Sequence, residues 1–461
     1  MKRRGMILVA VLVVTALVTM VAASLLFRMR AETAASAAKG RGDQAYEAAL
    51  SGLEFATAVL QDYAGDMDVW YDNPDIFVNQ LVADDGANAW YFTVYGDDPL
   101  AQDNPRYGAS DESGKINLNA ATADQLVGLA GLTEELVDCL LDYIDADSEA
   151  RREGAEQEYY DNLPHPYVIP NGPLATLEEL LLVKGFDGTI VYGEDANLNG
   201  RLDPNEDDGD ETFPPDNGDG RLDQGLRGVA TVYSSGTDLD SKGNARIDLN
   251  AGPPPEDLGL PDDTRRFIDI YLAEGNKFKH PSELLEMRYE VKQEHKDYAD
   301  VPVGTEIASG VGAEELPLVM DRLTTVSTGG EEKGGVAGLV NVNTAPVEAL
   351  ARLPGLDPNL AQQVVDVRRN LDAQTKATVA WLYAQNLVDA DAFKKVAPLV
   401  TARSSQFSLR CVGFGVPCGR FRVIEAVLDL AGKTPRVLYL RDITRLGLPF
   451  ALNADFVERR R

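Results

Sequence analysis

Apolar and polar residues follow three different rhythms along this chain. From Met6 to Phe27 there is an uninterrupted uncharged run of 22 residues, long enough for a helix to cross a bilayer, which takes about 20. From Arg28 to Tyr63 the rhythm changes. Ala45, Ala49, Leu53, Ala56 and Leu60 recur every three or four residues, the single apolar stripe of an amphipathic helix. Joined, the two segments predict one continuous helix approaching roughly 90 Å at 1.5 Å per residue, with Gly40 and Gly42 as places where it can bend. A third rhythm, rich in β-branched and aromatic residues, marks strands at Ala89–Tyr95, Gln406–Val412, Arg420–Leu430 and Arg436–Leu440, the last three separated by Gly and Pro turns.

Between these strand regions, from about 114 to 404, the pattern is helical and repeats itself three times. The first unit opens with Ile116-Asn117-Leu118-Asn119-Ala120, passes Leu129-Ala130-Gly131-Leu132 and reaches Leu140-Leu141-Asp142-Tyr143-Ile144. The second opens with Ile247-Asp248-Leu249-Asn250-Ala251 and closes on Leu284-Leu285-Glu286-Met287. The third reads Val340-Asn341-Val342-Asn343-Thr344-Ala345, then Leu353-Pro354-Gly355-Leu356, then Val364-Val365-Asp366-Val367-Arg368. The last polar side chain of each opening is a candidate helix cap, and the Gly that follows turns the chain into a second helix, a helix–hairpin–helix unit. Such units often grip a nucleic-acid phosphate with hairpin amides and a helix N-terminus. Here Glu134, Glu135 and Asp357 stand where a phosphate would sit, which favours a packing role over DNA binding.

Charge points the same way. The chain has 74 acidic and 43 basic residues, a net charge of −31 over 461 residues. That surplus repels phosphate backbones and favours hard cations. The length allows more than one domain. Three histidines without metal-ligand or triad spacing, and no nucleophile–base pair, argue against an enzyme. Of three cysteines, Cys139 sits in an apolar helical stretch as a buried thiol, while Cys411 and Cys418 flank a short loop that a disulfide can close in an oxidising compartment; free thiols fit equally well.

The start of the chain narrows the class. Lys2, Arg3 and Arg4 precede the apolar run, Gly5 lies between charge and run, and no small-residue cleavage site follows. The run exceeds the 7–15-residue apolar core of a secretory signal. An uncleaved anchor, with its basic end cytoplasmic, fits this pattern. The pattern also resembles the leader of type IV pilins and pseudopilins, which implies prepilin-peptidase cleavage after Gly5 and methylation of Met6. The fifth residue after that junction is Ala10, where most members of that class carry Glu.

Taken with Asp111-Glu112-Ser113-Gly114-Lys115-Ile116-Asn117, Asp142-Tyr143-Ile144-Asp145-Ala146-Asp147, Gly154-Ala155-Glu156 and Leu177-Glu178-Glu179-Leu180, the order of motifs resembles the minor pseudopilin K family of type II secretion systems (general secretion pathway protein K). The resemblance covers most of the chain apart from about 187–245. It implies an α+β, pilin-like fold: a leader at 1–5, a transmembrane and amphipathic helix at 6–64, and a small antiparallel sheet from 65–113 and 405–461. A large all-helical domain is inserted at 114–404. It further implies a structural subunit at the tip of a pseudopilus, with minor pseudopilins I and J as partners. The anchor would lie in the bacterial inner membrane and the bulk of the chain in the periplasm, with calcium bound in the inserted domain. Asp145, Asp147 and Glu156 match the family pattern for one such site.

The segment outside the resemblance carries its own calcium signature. Asp195, Asn197, Asn199, Arg201, Asp203 and Glu206 occupy the ligand positions of a twelve-residue EF-hand loop, with Gly200 at its sharp turn. Side-chain oxygens come from Asp195, Asn197 and Asn199, a carbonyl from Arg201, a direct or water-mediated contact from Asp203, and two oxygens from Glu206. The next segment, Asp216-Asn217-Gly218-Asp219-Gly220-Arg221-Leu222-Asp223, is defective by the same template: its first position would be Pro215 and its twelfth Leu226. Two other functions remain open from sequence: a helix–hairpin–helix nucleic-acid-binding or DNA-uptake protein, and a plain signal-anchored Ca²⁺-binding periplasmic protein.

Overall fold

A computed structural model describes residues 3–96, 106–209, 211–325, 336–432, 434–450 and 452, with backbone only at 3–6, 336 and 337. Helix α1 (Arg3–Tyr63) runs unbroken for 61 residues, through both Gly40 and Gly42. Its two halves have opposite fates. The large apolar side chains from Ile7 to Met29 stand at least half exposed, whereas Ala45, Ala49, Ala56 and Leu60 are fully buried and Leu53 nearly so. Among the described residues, α1 is the one helix long and apolar enough to cross a membrane.

The buried half of α1 lies on a six-stranded antiparallel sheet. Its strands are β1 (Gln80–Asp84), β2 (Ala89–Tyr95), β3 (Ser110–Asp111), β4 (Gln406–Val416), β5 (Phe421–Asp429) and β6 (Arg436–Asp442). They lie in the order β1-β2-β4-β5-β6, with β3 adding to β4. Strand alternation sorts the two faces. Phe92, Val94, Phe407, Leu409, Cys411, Ile424, Ala426 and Leu428 pack with α1 and Trp70. Tyr91, Tyr95, Val412, Phe414 and Val423 face the other way, under Ile443, Leu446, Leu448 and Phe450. Small residues let helix and sheet approach: a methyl group at Gly413 would collide with the Ala45 carbonyl and the Ala49 amide, and one at Gly52 with the Cys411 sulfur and the Phe92 ring.

Strands β3 and β4 are neighbours in space, Phe407 opposite Asp111, yet the whole repetitive region lies between them in sequence. That region forms one continuous apolar core of its own. Each repeat unit opens with two residues that pair, in parallel, with a segment near the unit's end: Ile116 with Ala230, Ile247 with Leu323, Val340 with Val400. The inserted unit is therefore not purely helical. The last Asn of each opening also departs from the expected capping role. Asn119 accepts from Leu174 N (2.7 Å) and donates to Leu174 O (3.0 Å). Asn250 does the same with Phe278 (2.9 Å each way), and Asn343 donates to Lys376 O and Ala402 O (2.9 and 3.0 Å). The helices begin later, behind Thr122, Pro261 and Pro346, so these amides are free to clamp distant backbone.

Sheet and insert meet at two buried carboxylates. Asp111 accepts from Asn341 Nδ2 (2.9 Å), Thr344 Oγ1 and Ser113 N (2.8 Å). Glu112 accepts from Thr231 Oγ1 and Ser408 Oγ. Burial pushes the Asp111 carboxyl above its usual range, against the lowering effect of its hydrogen bonds to Ser404, Thr344, Ser113 and Asn341.

Of the two states open to Cys411 and Cys418, the structure has free thiols. Cys411 lies buried within β4 on the α1 face, while Cys418 sits in the turn beyond β4, its Sγ 3.5 Å from Gly415 O. Gly415 lies four residues along the strand from Cys411, a rise of about 13 Å, well beyond the Cα separation of about 4.4–6.8 Å that a disulfide spans. Alkylation of unfolded, unreduced protein is therefore expected to label all three cysteines by mass spectrometry. Gly413→Val is expected to destabilise the full chain by about 2–3 kcal/mol, seen as a lower thermal midpoint. Gly40→Ala, which meets nothing within 4 Å, is expected to be neutral or slightly stabilising.

Candidate metal centres

The EF-like loop follows the short helix Gly188–Tyr192 and closes through its own side chains. Asp195 Oδ1 accepts Asn199 N (2.9 Å) and Oδ2 accepts Gly200 N (3.0 Å). Asn197 Oδ1 accepts Asn199 N (2.9 Å), and Asn199 Oδ1 accepts Arg201 N (2.7 Å). The amides of Asn197 and Asn199 both point at Asp203 Oδ2, at 2.7 and 2.8 Å. Gly200 makes the turn with φ of 71°, a left-handed conformation that suits Gly. Glu206 closes the ring: its Oε2 accepts Asp203 N at 3.0 Å. The Arg201 side chain points to solvent.

Glu206 is 1% exposed and its Oε1 is buried without a hydrogen-bond partner. Burial, then the nearby Asp195 and Asp203 charges, push its carboxyl up to about 7, against a lowering bond from Asp203 N. Carboxylate, amide and carbonyl oxygens at these positions are the donor types of a calcium site, although among the described residues the carboxylates of Asp195, Asp203 and Glu206 do not converge within 4.8 Å.

The adjoining segment repeats the pattern with borrowed residues. Asp219 N donates to Asn217 Oδ1 (2.8 Å) and Arg221 N to Asp219 Oδ1 (2.9 Å), as in the first loop. Gly220, at φ of 72°, donates to Asp207 Oδ1 (2.9 Å), and Asp223 N donates to Glu194 Oε2 (2.9 Å). Asp207 thus does for Gly220 what Asp195 does for Gly200, and Glu194 does for Asp223 what Glu206 does for Asp203. Both residues flank the first loop, and a linear template cannot find them because they lie 13 and 29 residues from their partners.

A separate group forms beyond the helix Glu134–Ile144. One carboxylate oxygen each of Asp145, Asp147 and Glu156 lie within 4.8 Å of one another. Glu156 is 7% exposed with both oxygens lacking partners, as does Asp145 Oδ1. Burial, then Asp142, Asp145 and Asp147, raise the Glu156 carboxyl above its ordinary value. Arg151 Nη1 holds Asp142 and Asp145 at 2.6 Å each, and the chain passes so close to Asp142 that a side chain at Gly154 would overlap its carboxylate. This group too fits a hard cation.

Gly5 and Met6 belong to the helical backbone of α1, and Met1 and Lys2 lie outside the described residues. In the first hairpin, Ala130 N donates to Glu348 Oε1 at 2.7 Å, and Arg352 Nη1 to Val127 O at 3.1 Å. A carboxylate of the third repeat unit thus occupies an amide that a phosphate would use.

Residues 100–192 match the family model for protein K of the type II secretion system (T2SS), and residues 336–401 match a helix–hairpin–helix motif. The first match includes Asp145, Asp147 and Glu156; the 195–206 loop lies beyond it. No curated protein matches the chain. Among solved structures, a chain of the GspK-GspI-GspJ complex from the enterotoxigenic Escherichia coli Type 2 Secretion System is similar at 14% identity, over 88% of this chain and 99% of that one, with a TM-score of 0.37. The resemblance to protein K thus holds over the segment that opens the inserted unit, and the α+β class is the one the structure has.

Between pH 4.5, the ordinary value for a glutamate, and about 7, folded protein keeps the Glu206 proton that unfolded protein has lost. The unfolded state then binds fewer protons, so ion-free stability from this group falls as pH rises through that window. In chelator, the thermal midpoint is expected to drop between pH 5 and pH 8, and Glu206→Gln is expected to flatten that drop.

Proposed function

We propose that this chain is a K-type minor pseudopilin, a structural rather than catalytic subunit of a type II secretion system that sits at the tip of its pseudopilus. The observation that carries this is the protein K match at residues 100–192, on a segment inserted between strands of a sheet whose long helix leaves its apolar half exposed. That half would first hold the subunit in the inner membrane, with the body in the periplasm, and then pack against neighbouring helices after extraction. Prepilin peptidase would cut between Gly5 and Met6. Ala10 leaves no carboxylate at the fifth position to pair with a subunit stacked above, which suits the end of a filament. Minor pseudopilins I and J are the partners this role requires.

Calcium completes the proposal. Asp195, Asn197, Asn199, Arg201, Asp203 and Glu206 would hold one ion, and Asp145, Asp147 and Glu156 another. Each ion would neutralise carboxylates that otherwise repel one another in a buried setting. Nucleic-acid binding is the weaker alternative: the net charge is −31, and Glu348 already engages the first hairpin.

Protein extracted from the native membrane is expected to begin at a methylated Met6 by intact-mass and N-terminal analysis; an intact Met1–Gly5 segment would favour a plain signal anchor instead. Saturating calcium at about 100 times Kd is expected to add about 2.7 kcal/mol per site. It would appear as a higher thermal midpoint than in chelator, and as a gain that Glu206→Gln reduces.

A further inference from the structure

One ion-pair chain leaves the first loop and reaches the sheet. Arg227, on the short helix Gly225–Val229, places Nη1 3.9 Å from Asp195 Oδ2 and Nη2 3.1 Å from Glu425 Oε1. Glu425 lies on β5, opposite Arg410 on β4 and Arg441 on β6, and Arg410 Nε is 3.2 Å from the same Oε1. Ile424 and Ala426 face α1, so by strand alternation Glu425 faces away from it, toward the insert. The Arg227 side chain is only 16% exposed and Asp195 only 1%, so little water screens either contact.

Asp195 is the first ligand position of the loop. A cation held there shares that carboxylate with Arg227, and two positive charges on one buried carboxylate repel each other. We infer that Arg227 is an affinity-setting residue that couples cation occupancy of the 195–206 loop to the docking of the insert on the sheet. Without an ion, Arg227 lies between Asp195 and Glu425 and pairs with both. With calcium in the loop, Asp195 is satisfied and Arg227 turns wholly to Glu425, tightening the contact between insert and β5. The coupling is reciprocal by linkage: whatever draws Arg227 toward the sheet strengthens calcium binding, and whatever releases it toward Asp195 weakens it. This inference rests on the proposal that the loop takes calcium.

The test is calorimetric titration of the full chain in detergent with calcium, the loop's binding event being the one that Glu206→Gln removes. Arg227→Gln is expected to tighten that event about fivefold, and Glu425→Gln to weaken it by a similar factor, because the guanidinium, no longer drawn to β5, then lies more fully on Asp195. Arg227→Lys keeps the charge and is expected to stay near wild type. Opposite signs are the signature, since a purely structural role would weaken binding in both variants. If Arg227→Gln fails to fold by circular dichroism, the weakening in Glu425→Gln and the near-wild-type Arg227→Lys still decide. No titration that Glu206→Gln removes means the calcium proposal fails. A titration of that kind, with Glu425→Gln unchanged within twofold or both variants shifting the same way, overturns the coupling while leaving calcium binding intact.

Discussion

The fold depends on one closure. Strand β4 can take its place between β2 and β5 only if the chain, having left the sheet at Asp111, returns to it at Gln406. A flexible loop of that length would lose much entropy in closing, although the cost grows only logarithmically with length. Here the loop is a packed unit with its own core, and its ends are tied together by buried polar contacts. Asp111 binds Asn341 and Thr344 from the third repeat unit, and Glu112 joins Thr231 of the insert to Ser408 of β4. These groups are far from solvent, so each hydrogen bond matters chiefly because losing it would strand a buried carboxylate. The same contacts that close the insertion also fix its orientation on the sheet.

A second constraint is electrostatic. With a net charge of −31, the chain nevertheless buries carboxylates deeply at Asp195, Glu206 and Glu156, and leaves oxygens of the two glutamates without hydrogen-bond partners. Elsewhere it covers buried acids with arginine: Asp142 by Arg151, Asp240 by Arg322, Asp321 by Arg403. The contrast is informative. Where an arginine is supplied, the acid is a structural ion pair. Where none reaches the glutamate oxygens, burial instead pushes the carboxyl toward its neutral form, and Arg227 near Asp195 sits between these two regimes.

Much of this was legible in sequence, for local reasons. The Ala45–Leu60 stripe has helical spacing, and Ala89–Tyr95 was bounded correctly because a strand's composition and alternation are properties of neighbouring residues. The backbone turn of the first loop was legible, with Gly200 left-handed where the template puts its sharp turn, because the loop's residues are neighbours in sequence. What was not legible was non-local. Asp207 and Glu194 serve a loop that a linear template scores as defective, and Asn119, Asn250 and Asn343 bind backbone 28 to 59 residues away rather than capping the helices they precede. The state of Cys411 and Cys418 stayed open in sequence because proximity along the chain says nothing of the extended strand that holds the two sulfurs apart.

The repeat units show how one backbone device changes meaning with its surroundings. A helix–hairpin–helix exposes amides at its turn, and in a basic protein those amides and the adjacent helix N-terminus make an anion site. In this acidic chain the anion is internal. Glu348 of the third unit takes the Ala130 amide of the first, and Arg352 returns a bond to Val127, so two hairpin units dock through the groups that would otherwise grip a phosphate. Satisfying those amides from within removes an exposed donor and at the same time fixes the first unit against the third. The asparagine clamps then fix each unit to its own far end. A rigid block follows from contacts that are individually modest, and rigidity is what a body carried on a single long helix needs if its position is to be set by that helix.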